Sequence, residues 1–115
     1  MSGQRREKRD RREMAELRDE YPSGWRVLTQ HESVGYMIDA LMDAPDHHFS
    51  KSRLAEKAGV SRQSVHTHLP LLLQLEVVEV VEDTSPETYT LNSGDELVRE
   101  LHRLNGLVNQ RLSDG

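Results

Sequence analysis

The residues with most to offer chemically lie between positions 50 and 69, in Ser50-Lys51-Ser52-Arg53 and in Ser61-Arg62-Gln63-Ser64-Val65-His66-Thr67-His68-Leu69. An arginine guanidinium can donate two hydrogen bonds to the edge of guanine, and a glutamine amide matches adenine. Serine and threonine hydroxyls serve either bases or phosphates. On a helix beginning at Arg62, a turn of ~100° per residue sends Val65, Leu69 and Leu72 to one side. Gln63 and Thr67 are left opposite, with Ser64 and His66 flanking, and no carboxylate interrupts that face. Arg62 falls in the first turn, where a helix lodged in a major groove presents side chains to base edges or phosphates. Ser50, Lys51 and Arg53 open the preceding helix, whose free amides and positive end suit a phosphate. The chemistry expected is recognition of double-stranded DNA.

Catalysis lacks parts. There is no Gly-rich phosphate loop, no H-E-x-x-H and no G-x-S-x-G. The chain has no Cys, which excludes disulfides, thiolate metal sites and cysteine nucleophiles. Six His invite a metal-sensor reading, but His47-His48 and His66-x-His68 are the only local pairs. Residues two apart on a helix diverge by ~200°, so His66 and His68 cannot share an ion within one chain. His102 has only Val98 and Gly106 at four-residue spacing. No metal, cofactor or small-molecule ligand is expected, and His68 reads as a packed structural residue.

The elements that must position these residues are short helices. Met14, Leu17 and Tyr21 suggest an amphipathic helix over roughly 8–20, broken by Pro22-Ser23-Gly24. Thr29-Gln30-His31-Glu32 reads as a capping box, followed by the stripe Val34, Met37, Ile38, Leu41 and Met42. Ala44-Pro45-Asp46 ends that helix. Ser50 then caps a short helix through Leu54, Ala55 and Ala58, which Gly59 stops in a left-handed conformation. Val60 suits burial in the turn, and Ser61 caps the next helix. Val77-Val78-Glu79-Val80-Val81 and Thr88-Tyr89-Thr90-Leu91 read as a hairpin broken by Asp83-Thr84-Ser85-Pro86. Ser93-Gly94-Asp95-Glu96 reads as a second capping box before a last helix.

The stretch Leu54-Ala55-Glu56-Lys57-Ala58-Gly59-Val60-Ser61 through Val65-His66-Thr67-His68-Leu69 resembles the helix-turn-helix core of ArsR/MarR-like winged helix transcriptional regulators of bacteria and archaea. The resemblance covers roughly residues 29–91. It implies a mostly helical fold with a small hairpin, a homodimer, the third helix in the major groove and the hairpin along the backbone. It departs from the family at Pro70, where Lys or Arg is common, and at Glu76, where Gly is common. Pro70 predicts a kink in its helix, and Glu76 a left-handed residue without glycine's freedom.

Charge is distributed unevenly. The chain of 115 residues carries a net −5, which taken alone argues against nucleic acid. Yet the first dozen residues hold Arg5, Arg6, Lys8, Arg9, Arg11 and Arg12, and residues 50–69 hold Lys51, Arg53, Lys57 and Arg62 against Glu56 alone. Glu79, Glu82, Asp83 and Glu87 crowd the hairpin, leaving Thr84, Ser85 and Thr88 as its candidate DNA contacts. The basic amino terminus is either a plain tail or an arm along the duplex. The acid-rich, Lys-poor composition resembles that of proteins from salt-loaded cytoplasm, as in halophilic archaea. Absence of any long apolar run predicts no membrane span, and the location expected is cytoplasmic.

In the last helix Leu97, Leu101, Leu104 and Val108 recur at helical spacing, widened by Val98, Leu107 and Leu112. A domain this small has little surface with which to cover so broad a stripe, so the expectation is dimerisation through it. The organisation expected is a charged arm and short helix over 1–24, a DNA-binding winged helix domain over 25–92 and a dimerisation helix over 93–115. The function expected is a dimeric repressor acting by promoter occlusion. The alternative is a winged helix module that binds a partner protein and not DNA.

Overall fold

The computed structural model describes residues 23–114. The basic cluster and the helix expected over roughly 8–20 lie outside the described residues. What is described is mostly helical, with one small two-stranded antiparallel hairpin.

Helix α1 (Gly24–Thr29) stands where the sequence pointed only to a break and a cap. Ser23 starts it, its Oγ accepting from the Arg26 amide at 3.2 Å. Thr29 is therefore the last residue of a helix, and its hydroxyl donates back to the Trp25 carbonyl at 2.9 Å. Thr29 thus has a helical backbone rather than the extended one of a capping residue, and the capping position of the next helix falls to His31. Helix α2 (Glu32–Asp43) begins at His31, which makes no side-chain capping bond. The expected Thr29–Glu32 box does not form. The stripe behind it does: Val34, Met37, Ile38 and Leu41 are buried, and Ala44 ends the helix ahead of Pro45.

Helices α3 (Lys51–Ala58) and α4 (Arg62–Gln74) follow the local rules closely. Ser50 Oγ accepts from the Arg53 amide at 3.2 Å and Ser61 Oγ from the Ser64 amide at 3.0 Å. Gly59 sits between them at φ 73°, its amide bonded to the Ala55 carbonyl. Val60 is half-buried against the core. Val65, Leu69 and Leu72 are buried, while α4 continues through Pro70 to Gln74 with Pro70 on its exposed side.

Glu76 takes the left-handed conformation at φ 62°. Asn92 clasps the turn there, its Nδ2 donating to the Glu76 carbonyl at 3.1 Å and its backbone amide to the Val77 carbonyl at 2.9 Å. Strands β1 (Val78–Val81) and β2 (Thr88–Leu91) pair in the register Val78↔Leu91 to Val81↔Thr88. A third segment joins them. Phe49, just ahead of α3, makes a single antiparallel bridge to Tyr89.

Helix α5 (Glu96–Asp114) is capped by Asp95, whose carboxylate accepts from the Leu97 amide at 2.9 Å. Asp95 thus takes the place expected of Ser93. Val98 is fully buried, and Leu97 and Leu101 are half-buried against the core. Beyond them α5 leaves the domain, and Leu104, Leu107, Val108 and Leu112 are exposed. The core itself lies among α2, α3, α4 and the hairpin, with Met37, Leu41, Leu54, Leu69, Leu72 and Val77 fully buried. No helix among the described residues is long and apolar enough to cross a membrane.

Candidate nucleic-acid interface

Helix α4 is anchored on one side by Val65, Leu69 and Leu72, which fixes what the other side presents. Arg62, Gln63, His66 and Thr67 are exposed, and Ser64 is half-buried beside them. No acid stands in the helix's first turn. Gln63 Nε2 donates to Thr67 Oγ1 at 3.4 Å, so these two side chains stand together one turn apart. Arg62 makes no ion pair among the described residues and keeps its five donors available.

The start of α3 is joined to the same face. Lys51 Nζ lies 3.3 Å from His66 Nδ1. An ammonium can only donate, so in this hydrogen bond Nδ1 is the acceptor. That contact brings Lys51 and His66 of the expected set together. Arg53 is exposed, with Glu56 at 3.8 Å, a distance and exposure at which an ion pair contributes little. Lys57 is engaged elsewhere. Its ammonium pairs with Asp43 on α2 and holds that carboxyl below its ordinary pKa.

Two of the expected serines have an architectural role. Ser50 and Ser61 spend their oxygens on helix starts, and Ser61 Oγ also donates to Ser64 Oγ at 3.0 Å. Ser64 keeps its own proton for donation.

The hairpin candidates fare differently. Thr84 Oγ1 donates to the Val81 carbonyl at 3.2 Å, and accepts from the Thr88 amide at 3.0 Å and the Thr88 hydroxyl at 3.1 Å. Both threonines are turned inward to hold the loop closed, which leaves Ser85 as the exposed hydroxyl of the expected three. Around it Glu79, Glu82, Asp83 and Glu87 are all exposed. Glu87 accepts from the Tyr89 hydroxyl, whose pKa is pushed up to about 12 by burial and then by that carboxylate.

His68 is half-buried and packs its ring against His31, centroids 4.8 Å apart and tilted by 35°. Burial, and then the neighbouring His31, push its pKa down. It is a packing residue, as its place on the flank of the stripe suggested. Among the described residues no group of three or more His, Asp or Glu is placed to hold a metal ion.

The residue that sequence reasoning missed is Phe49. It ties the start of α3 to the hairpin, and a one-residue bridge leaves no alternating pattern to read. No protein-family model matches the chain, and no curated protein matches its sequence.

Proposed function

We propose that the protein is a sequence-specific regulator of transcription that binds double-stranded DNA as a homodimer, with a winged helix-turn-helix architecture of the ArsR/MarR-like kind. The observation that carries this reading is the exposed, acid-free face of α4. Arg62, Gln63, His66 and Thr67 stand on a helix whose opposite side is locked into the core by Val65, Leu69 and Leu72. In this reading α4 enters the major groove and Arg62 and Gln63 read bases. Lys51, Arg53 and the amides at the start of α3 meet a phosphate. The acidic hairpin stays off the backbone or touches it only through Ser85. Repression by promoter occlusion in the cytoplasm needs no part beyond these.

The test is a gel shift against the DNA upstream of the chain's own coding region and against sites selected from random duplexes. It is repeated at several salt concentrations with Arg62→Ala and Gln63→Ala. Binding that loses its sequence preference in these variants is the expected result. The exposed hairpin acids and the bare end of α5 favour a second reading, a module that binds a partner protein without reading DNA. Failure to bind any duplex at any salt would replace the first reading by the second.

A further inference from the structure

The outer half of α5 presents Leu104, Leu107, Val108 and Leu112 at 44, 41, 48 and 74 % exposure. At ~100° per residue, Leu104, Val108 and Leu112 fall within ~40° of one line along the helix, with Leu107 on one shoulder. Glu100 and Arg111 stand on that same shoulder, near opposite ends of the apolar segment, while Asn105 and Asn109 occupy the other. Glu100 is shared with Arg103 at 3.8 Å, but both are highly exposed and such a pair holds neither side chain firmly.

We propose that this outer half of α5 pairs with the same segment of a second copy of the chain in antiparallel orientation. Leu104 of each copy lies against Val108 of the other, and Arg111 of each beside Glu100 of the other. The proposal rests on the homodimer reading above and adds a face and a direction to it. Charge selects the direction. Parallel helices related by a two-fold axis set each shoulder against the opposite shoulder of the partner, so Glu100 and Arg111 would face the side of Asn105 and Asn109 and meet no charge. Reversing one helix sets the same shoulders together, which makes two opposite-charge contacts between Glu100 and Arg111 and keeps the leucines and valines in register. It also opposes the helix dipoles. The two-fold axis then passes beside Leu107.

The absence of cysteine in the chain makes single-cysteine variants clean reporters of this geometry. Leu107→Cys, Glu100→Cys and Arg111→Cys are made in the full chain. Their masses are measured by light scattering, and disulfide formation is followed under mild oxidation. The expected results are a dimer mass, self-crosslinking of Leu107→Cys, and a mixed disulfide when the Glu100→Cys and Arg111→Cys chains are combined. Arg111→Cys alone stays uncrosslinked, because at 1.5 Å rise per residue its two copies stand ~15 Å apart, beyond disulfide reach. Rapid self-crosslinking of Arg111→Cys would overturn the antiparallel arrangement while leaving the homodimer intact. A dimer mass with no crosslink at any of the three positions would move the interface elsewhere. A monomer mass at all concentrations would remove the homodimer as well.

Discussion

Phe49 and Tyr89 exchange both of their backbone hydrogen bonds, the Phe49 amide reaching the Tyr89 carbonyl at 2.8 Å and the Tyr89 amide the Phe49 carbonyl at 2.7 Å. Phe49 directly precedes Ser50, the cap of α3, and Tyr89 lies within β2. The start of the helix pair and the hairpin are therefore one mechanical unit.

Replacing Phe49 tests that unit. Its side chain is buried, and truncation of a core aromatic costs about 3–5 kcal/mol. Phe49→Ala is expected to lower the free energy of unfolding, measured in urea, by that amount. In the proposed complex it also weakens DNA binding, although Phe49 touches no part of the α4 face.

The caps separate two ways of starting α5. Asp95 makes the capping bond and Ser93 does not. Asp95→Ala is expected to cost about 1 kcal/mol, whereas Ser93→Ala leaves stability nearly unchanged. Thermal denaturation of the two variants side by side decides it, and the reverse ranking would restore the Ser93 box.

Gly59 offers a purely conformational test. A Cβ built there meets nothing within 4 Å, yet the residue holds φ 73°. Gly59→Ala should then lose about 1–2 kcal/mol through the left-handed backbone alone, and Gly59→Asn should recover part of it. Equal stability of all three would mean that the turn relaxes.

Leu101 and Leu104 are one turn apart on α5 but differ in what they touch. Leu101 packs on its own domain and Leu104 stands exposed. Leu101→Glu is expected to lower the melting temperature of the fold itself. Leu104→Glu should leave folding almost untouched and, in the proposed homodimer, shift the mass from dimer to monomer, read by light scattering and by calorimetry on the same samples.

His68 gives the fold a pH dependence of known sign. Its pKa is held below the ordinary 6.5 by burial and by His31, so the unfolded chain takes up the proton first. Stability is complete above pH 6.5 and declines as pH falls below it, until the folded His68 also becomes protonated. Melting temperatures measured between about pH 5 and 8 should show this slope, and His68→Gln should flatten it.

Much of this was legible wherever the rule is local. Ser50, Gly59 and Ser61 announce their own conformations, and the stripe Val65, Leu69, Leu72 announces the buried side of α4. Thr29 misled because two helices competed for it. Ser23 starts α1 ahead of it, which places Thr29 inside a helix, where its hydroxyl bonds back to Trp25. At α5 the sequence pointed to Ser93, and the backbone path gives the capping bond to Asp95 instead. The inward turn of Thr84 and Thr88 depends on loop geometry that composition does not encode. The Phe49–Tyr89 bridge joins distant segments and has no local signature. Of the candidate interface, the α4 face followed from periodicity alone, and the contact between Lys51 and His66 required the crossing of two helices.

The closed ring of hydrogen bonds around Thr84 has one more effect. A hairpin that keeps both threonine hydroxyls for itself and shows four carboxylates outward would act toward a duplex as a fender. It charges an electrostatic penalty against indiscriminate docking on any stretch of phosphate. Added salt weakens that repulsion together with the attraction at Lys51 and Arg53. In the proposed complex the two losses offset one another, so grip on a chosen site changes less with ionic strength than a purely basic surface would allow.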